Sequence, residues 1–263
     1  MNKKLKYSLL VLVVLLEGCQ DFLEPKSQSE YVPKVIQSLD ELLLGDAYLS
    51  PLTVTTNLLY SSLGLFDDDV AARTDLTIME DSEDKLDQAL LAFSWSRDMA
   101  NKLSDYGMAY SSSYRLILGC NAVLDYINEV NGTDEMRNWV RGQALALRSY
   151  HYFWLVNIFG APYHADPEAL GIVLKLTSAV EPGSLSRITV RRTYEQIVND
   201  LLEAERCLEN TSEMNAYNRN YRMNLPVVRL LLSRVYLYME NWTEAARYAT
   251  KVIEDEPVSY THL

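Results

Sequence analysis

Apolar residues recur at every third or fourth position along three long stretches of this chain, which is the spacing of amphipathic helices. The stretches span residues 106–132, 133–160 and 189–210. Period-two alternation, which would predict strands, is scarce, so the pattern predicts an all-α fold. The positions that define the three apolar faces are Tyr106, Tyr110, Tyr114, Ile117, Asn121, Leu124 and Ile127; Met136, Val140, Ala144, Leu147, His151 and Leu155; and Tyr194, Ile197, Leu201, Ala204 and Leu208.

Local signals set the expected helix starts and the connections between helices. Residues 38–50 predict the first helix, with Ser38 as its N-cap and an acidic first turn. Thr133 predicts the start of the second long stretch. Residues 161–186 contain three prolines and predict a long connection, with a short extended piece at residues 171–176.

The last two helices carry the most specific pattern in the chain. Residues 227–257 match the offsets of a tetratricopeptide repeat, in which small residues lie where two helices cross closely. We expect Ser233 and Ala245 at that crossing, with Tyr236 and Trp242 filling the remaining space. The sequence therefore predicts tetratricopeptide-like helical hairpins with long irregular loop insertions.

The N-terminal segment has the parts of a secretory signal peptide. Three lysines precede an apolar run that is far shorter than the ~20 residues needed to span a bilayer. Leu16–Cys19 resembles a bacterial lipobox, although Glu17 stands where such boxes usually carry an uncharged residue. We predict a signal peptide at residues 1–18 and lipidation of Cys19, followed by an extended tether at residues 19–34. The alternative is a plain signal peptide with an unrelated cysteine.

Composition narrows the classes of function. The chain has 263 residues and a net charge of −12, and a strongly negative protein repels polyanions, so a nucleic acid partner is not expected. Besides Cys19 only Cys120 and Cys207 occur, without metal-ligand spacing. We expect both to be buried thiols, with a Cys120–Cys207 disulfide as the alternative.

Motifs that would indicate an enzyme are missing from the sequence. It contains no G-x-S-x-G, no glycine-rich phosphate loop, no H-E-x-x-H and no C-x-x-C. The chain has three histidines, and we expect His151 to be a satisfied core residue because it lies among aromatic residues on a helix. These absences weigh against an enzyme, and the catalytic alternative is a hydrolase that uses Asp67 to Asp69.

Acidic residues cluster in residues 50–105, which show no sustained period. A solvated acidic loop is one interpretation, and a calcium site is another, although no EF-hand pattern is present and no cofactor is predicted. The third is a sugar site, in which carboxylates and arginine bind hydroxyl groups while an aromatic ring stacks on the sugar. Tyr217 and Tyr221 lie in a separate polar loop and are candidates for a surface contact. The groups that would form the sugar site are Asp68, Arg73, Asp84 and Trp95.

Five segments, taken in order, resemble the SusD/RagB family of nutrient-binding outer-membrane lipoproteins of Bacteroidetes. They are CQDFLEP from Cys19, SLDELLLGDAYLS from Ser38, RGQALALRSYHYFWLVNIFGAPY from Arg141, RRTYEQIVNDLLEAERCL from Arg191 and RLLLSRVYLYMENWTEAARYATKVIED from Arg229. The resemblance implies a lid-like subunit on the cell surface that captures a glycan and delivers it to a TonB-dependent transporter, without catalysis. It also implies that irregular loops build the ligand face.

The same resemblance sets the expected domain organisation. Residues 35–257 would be the N-terminal part of a SusD-like helical domain, because family members are about twice as long as this chain. Residues 258–263 are interpreted as a non-native tail. The alternative function is a lipid-anchored tetratricopeptide-like scaffold that binds a protein or peptide in its helical groove.

Overall fold

The computed structural model describes residues 33–49, 90–91, 93–98, 104–180, 182–211 and 221–255. Within these ranges, six helices of 11 or more residues and one two-stranded sheet make up the fold, which confirms the all-α prediction. The helices are α1 Ile36–Asp46, α2 Ser104–Tyr126, α3 Asp134–Phe159, α4 Val190–Glu209, α5 Leu225–Tyr238 and α6 Trp242–Asp255, and the strands are β1 Leu170–Val173 and β2 Arg187–Thr189.

Helix α1 begins at Ile36, two residues before the predicted start. Its first backbone N–H donates to the Asn131 carbonyl at 2.9 Å, and the Asn131 N–H donates to the Lys34 carbonyl at 3.0 Å. Ser38 therefore lies inside the helix, and the prediction that it is the N-cap is wrong. The start of α1 is fixed by a contact with a distant part of the chain, which satisfies a helix-terminal donor that a local cap would otherwise bind.

Helix α3 is the central helix and begins as predicted. The Thr133 hydroxyl accepts the Met136 N–H at 3.2 Å, and the acidic residues Asp134 and Glu135 follow in the first turn, where the helix dipole favours negative charge. Helix α3 packs against α1, α2, α4 and β1. The predicted faces of α3 and α4 are confirmed, because the following positions are buried: Val140, Ala144, Leu147, His151, Leu155, Tyr194, Ile197, Leu201, Ala204 and Leu208.

Two glycines allow close approach of helices in this core. A Cβ atom on Gly142 of α3 would lie 2.7 Å from the Leu208 Cγ of α4, and one on Gly119 of α2 would lie 2.5 Å from the backbone oxygen of Asp46 in α1. Both distances are shorter than carbon and oxygen atoms tolerate. The close packing of α2 on α1 and of α3 on α4 therefore depends on glycine at these two positions, because glycine has no Cβ atom.

The short sheet lies in the long connection between α3 and α4. Strand β1 pairs antiparallel with β2, with Leu170 opposite Thr189 and Val173 opposite Arg187. The extended piece predicted at residues 171–176 thus begins in β1 and continues beyond the sheet. The continuation matters for the site described below.

Helices α5 and α6 form the predicted hairpin. The Ser233 hydroxyl donates to the Ala245 carbonyl at 2.9 Å where the two helices cross, and the rings of Tyr236 and Tyr248 stack at 5.8 Å. Trp242, in contrast, is 61% exposed, so the prediction that it fills the space between the helices is wrong. The Tyr248 ring, one and a half turns further along α6, occupies the interior instead.

Candidate functional site

Trp95 lies at the end of a short helical segment. The Ser94 N–H donates to the Leu90 carbonyl at 2.9 Å, and the Ser96 N–H donates to the Leu91 carbonyl at 3.0 Å. Trp95 itself has a φ of 52° and is 69% exposed. This is the arrangement of a helix C-terminus closed by a residue in the left-handed conformation, a position that glycine usually occupies.

The backbone of Trp95 carries a conformational cost. A residue with a Cβ atom pays about 1–2 kcal/mol in the left-handed region, which a glycine would avoid. Such outliers concentrate at functional sites, where the surrounding structure holds them in place. Trp95 therefore presents an exposed ring from a strained backbone position, and its role in ligand contact stays a prediction.

The other predicted site residues fall outside the described part of the chain. Asp68, Arg73, Asp84 and the lipidation candidate Cys19 all lie outside the described ranges. Their grouping with Trp95 stays a prediction.

A second exposed aromatic residue, Tyr221, lies at the start of the segment that leads into α5. Its side chain is 73% exposed, and its ring makes an edge-to-face contact with the buried ring of Tyr48, with 5.8 Å between centroids and 88° between planes. The Tyr48 hydroxyl donates to Gln143 at 2.7 Å and accepts the Met223 N–H at 2.8 Å. Burial raises the pKa of Tyr48 to about 12. The polar loop around Tyr221 predicts a surface contact for it, but its contact with Tyr48 is not predictable from the sequence.

Arg222, the residue after Tyr221, contacts several surrounding side chains. The Arg222 guanidinium forms an ion pair with Asp40 of α1 and donates from Nε to Gln143 of α3 at 2.8 Å. It also lies 5.9 Å from the ring centroid of Tyr48 and 5.7 Å from that of Trp139, within the range of cation–π attraction. These contacts fix the backbone that carries Tyr221.

Side chains from α2 and α3 bind the strap, the name we give to residues 173–178. Tyr114 donates to the first carbonyl of the strap at 2.5 Å, and Asn121 donates to the Lys175 carbonyl at 2.9 Å. The Tyr152 hydroxyl donates to the same carbonyl and accepts the Lys175 N–H at 2.9 Å. The helices thus take the place of a further strand in satisfying this backbone.

A buried ion pair lies behind the strap. Arg148 donates to both carboxylate oxygens of Asp200 at 2.7 and 2.8 Å, and the two side chains are 7% and 5% exposed. Arg148 also donates to Asn121 at 3.0 Å. Burial lowers the pKa of Arg148, but the hydrogen bonds and charge of Asp200 outweigh it and raise the pKa overall. Because both charges are enclosed and paired, this cluster fixes structure and offers no exposed acid–base pair.

His151 lies in the core of α3, fully buried. Its Nε2 atom is 3.0 Å from the Ala47 carbonyl, so Nε2 carries the proton and donates. Among the described residues, its Nδ1 atom has no hydrogen-bond partner. Burial lowers the pKa of His151 to about 4. The expectation of a fully satisfied core histidine is therefore correct for one ring nitrogen only.

The described ranges offer neither a metal centre nor a membrane span. Those ranges contain no group of three or more His, Cys, Asp or Glu side chains placed to hold a metal ion. None of the helices in them is both long and apolar enough to cross a bilayer. Cys120 and Cys207 are free buried thiols, which agrees with the prediction and not with the disulfide alternative, and burial raises the pKa of both, that of Cys120 to about 12.

Comparison with known proteins points to one family. The family SusD-like_3, described as "Starch-binding associating with outer membrane", matches residues 21–237. No curated protein matches the chain.

Solved structures of SusD-like proteins share the fold. The chain is similar to a SusD-like carbohydrate binding protein from Bacteroides vulgatus, with a TM-score of 0.66, 23% identity, and coverage of 87% of this chain and 47% of the other. It is also similar to a SusD superfamily protein from Bacteroides fragilis, with a TM-score of 0.65, 21% identity, and coverage of 83% and 49%. The chain thus spans about half the length of the structures that it matches.

Proposed function

The chain belongs to the SusD-like family, and on that basis we propose that the whole protein captures an oligosaccharide at the outer surface of the cell. It is held to the outer membrane by lipid on Cys19 and passes its ligand to a TonB-dependent transporter. It carries out no chemical step on the ligand. The observation that supports this proposal best is the family match over residues 21–237, more than half of the chain.

The proposed ligand contacts combine stacking with hydrogen bonding. The Trp95 ring, 69% exposed, offers an apolar face of the kind that stacks on the C–H groups of a sugar ring. Asp68, Arg73 and Asp84 are the proposed partners of the sugar hydroxyl groups, because carboxylates accept and guanidinium groups donate hydrogen bonds in fixed geometry. No metal takes part in this proposal.

Binding of the full-length protein to amylopectin, laminarin, arabinoxylan and galactomannan, measured by affinity electrophoresis, tests the proposal. We expect retardation by at least one polysaccharide, and a loss of about tenfold in affinity with Trp95→Ala or Asp68→Ala. Trp242→Ala is the matched control, since it removes a tryptophan on α6 that is 61% exposed, close to the 69% of Trp95. Binding that is unchanged in both site variants would discard these residues, and a protein that binds none of the polysaccharides would contradict glycan capture.

Anchoring and transporter partnership are tested separately. The variant Cys19→Ala is expected to release the protein from the membrane fraction. Co-purification of the wild-type protein with a barrel transporter from detergent-solubilised outer membranes is expected for the second part. A Cys19→Ala protein that stays membrane-bound would place the anchor elsewhere.

The alternative is a scaffold that binds a protein or peptide. The α5–α6 hairpin favours it, because Trp242 and Ile253 expose apolar side chains at 61% and 70% on one helix. For the scaffold, Trp242→Ala would abolish partner binding and Trp95→Ala would not. The two functions therefore make opposite predictions for the same pair of variants.

A further inference from the structure

Tyr221 combines an exposed aromatic ring with a backbone that is firmly held. The Tyr221 ring makes an edge-to-face contact with Tyr48, and the residue is 73% exposed. An exposed tyrosine with no further role would gain nothing from a rigid backbone. The residues that follow Tyr221 make contacts that fix its backbone in place.

Arg222 is bound to two helices, and Met223 is bound to Tyr48, which lies just beyond the end of α1. Arg222 pairs with Asp40 of α1, and its Nε donates to Gln143 of α3 at 2.8 Å. The Met223 N–H donates to the Tyr48 hydroxyl at 2.8 Å. Because the Asp40 and Arg222 side chains are 16% and 11% exposed, this ion pair is largely shielded from water.

A ring held in this way loses little conformational freedom when a ligand covers it. Ordering a free side chain on binding has an entropic cost, and a fixed backbone lowers that cost. Aromatic residues also bring large apolar area with only two rotatable bonds. The open face of Tyr221 is therefore suited to a flat apolar surface edged by polar groups, which is the shape of a pyranose ring.

We propose that Tyr221, supported by Tyr48, is a sugar-stacking position in addition to Trp95, and that it contacts one pyranose unit of the bound oligosaccharide. This inference rests on the proposed function of glycan capture. The ring face supplies stacking, and Tyr48, Gln143 and Arg222 are positioning residues that hold it. A protein partner would use the same exposed ring differently, and the experiment separates the two.

Affinities of the full-length protein are measured by calorimetry with an oligosaccharide cut from whichever of the four polysaccharides it binds. Tyr221→Ala is expected to weaken binding about fivefold to tenfold, whereas Tyr221→Phe, which keeps the ring, stays within about twofold of wild type. Tyr221→Leu keeps apolar bulk against Tyr48 without a ring and is expected to behave like Tyr221→Ala. Unchanged thermal melting of the three variants is the control for folding.

A spectroscopic readout isolates stacking from a general loss of structure. Sugar C–H protons that lie over an aromatic face shift upfield in proton NMR, and the shift is expected to shrink in Tyr221→Ala and persist in Tyr221→Phe. The positioning variant Tyr48→Phe is expected to weaken binding about twofold to threefold while keeping the shift.

The outcomes separate this inference from the proposed function. If Trp95→Ala weakens binding and Tyr221→Ala stays within twofold of wild type, the inference is overturned and glycan capture stands. If the wild-type protein binds none of the polysaccharides, both fall. If Tyr221→Ala leaves sugar binding unchanged but prevents co-purification of the transporter, Tyr221 contacts a protein and the assignment to sugar is wrong.

Discussion

Two regions of the molecule differ in how far their side chains are exposed to solvent. One is the buried ion pair behind the strap, and the other is the pair of exposed rings of Trp95 and Tyr221. Arg148 and Asp200 have their hydrogen-bonding groups matched inside the protein, and their side chains are 7% and 5% exposed. Trp95 and Tyr221 are 69% and 73% exposed. The hydrogen bonds of the first region hold the fold together, whereas the aromatic surface of the second region remains accessible to a ligand.

From this difference we expect stability to depend on the buried pair and ligand binding to depend on the exposed rings. An exposed ring leaves the unfolding free energy almost unchanged when it is removed, because its surface is hydrated in both states. A buried charge whose partner is removed is left without compensation. Substitutions in the two regions should therefore affect different measurements, and the following predictions test that separation.

The largest effect is expected at the ion pair. Asp200→Ala leaves the Arg148 charge buried and unpaired, so we expect the free energy of unfolding to fall by about 3–5 kcal/mol. Urea denaturation followed by circular dichroism measures it. Replacing both residues, as Arg148→Met with Asp200→Leu, is expected to recover most of the loss.

A surface ion pair provides the control for that prediction. Arg191 pairs with Glu168 at 2.5 Å, but their side chains are 44% and 64% exposed. Arg191→Ala is expected to change the unfolding free energy by less than about 1 kcal/mol. A loss at Arg191 as large as that at Asp200 would break the comparison between buried and exposed groups.

The next effect concerns pH and His151. Its pKa is about 4 in the folded protein against 6.5 for an ordinary histidine, so the unfolded chain binds the proton first as the pH falls. Stability should therefore decrease between about pH 6.5 and pH 4, by up to about 3 kcal/mol. Denaturation at a series of pH values measures this loss.

His151→Gln separates the histidine from the other titrating groups. The glutamine amide does not titrate, so the variant should lose less stability than wild type over the same pH range, whatever its stability at neutral pH. Parallel pH curves for the two proteins would contradict the assignment to His151.

Two glycines on helices give an intermediate effect of opposite sign. A Cβ atom on Gly119 would lie 2.5 Å from the Asp46 backbone oxygen, whereas one on Gly45 would meet nothing within 4 Å. Gly119→Ala is expected to destabilise by about 1–3 kcal/mol, since the helices must separate. Gly45→Ala is expected to stabilise by about 0.5–1 kcal/mol through helix propensity. Thermal melting of the two variants compares the same substitution in a packed and an open position.

The smallest effect on stability is expected at Trp95, where binding is the main loss. Trp95→Gly and Trp95→Ala both remove the ring, but glycine accepts the φ of 52° without strain. We expect Trp95→Gly to be about 1 kcal/mol more stable than Trp95→Ala, with equal loss of glycan binding. Equal stability of the two variants would show that the backbone there is not strained.

Much of the helical fold is predictable from the sequence because helices follow local periodicity. The faces of α3 and α4, the Thr133 cap and the Ser233–Ala245 crossing all depend on residues close together in the chain. The Ser38 prediction failed because Asn131, about ninety residues away, fixes the start of α1. The prediction that Trp242 fills the space between α5 and α6 failed because repeat spacing gives the direction of a side chain only approximately. The Tyr248 ring occupies the interior instead.

The candidate site is less predictable. Sequence analysis selected Trp95 for its residue type, but its left-handed backbone and exposure are properties of the folded segment. It selected Tyr221 from a polar loop, yet the support from Tyr48 and Gln143 joins residues far apart in the chain. Asp68, Arg73 and Asp84 lie outside the described residues, so their role stays a prediction.

Spacing and ordered local motifs along the chain are enough to predict the helical class, the family resemblance and the positions of the long helices. The joint burial of Arg148, Asp200 and Asn121 and the exposure of particular aromatic rings are visible only in the fold, because burial and pairing depend on neighbours that are distant in sequence. A pattern along the chain records the type of each residue, and the fold decides what each one meets.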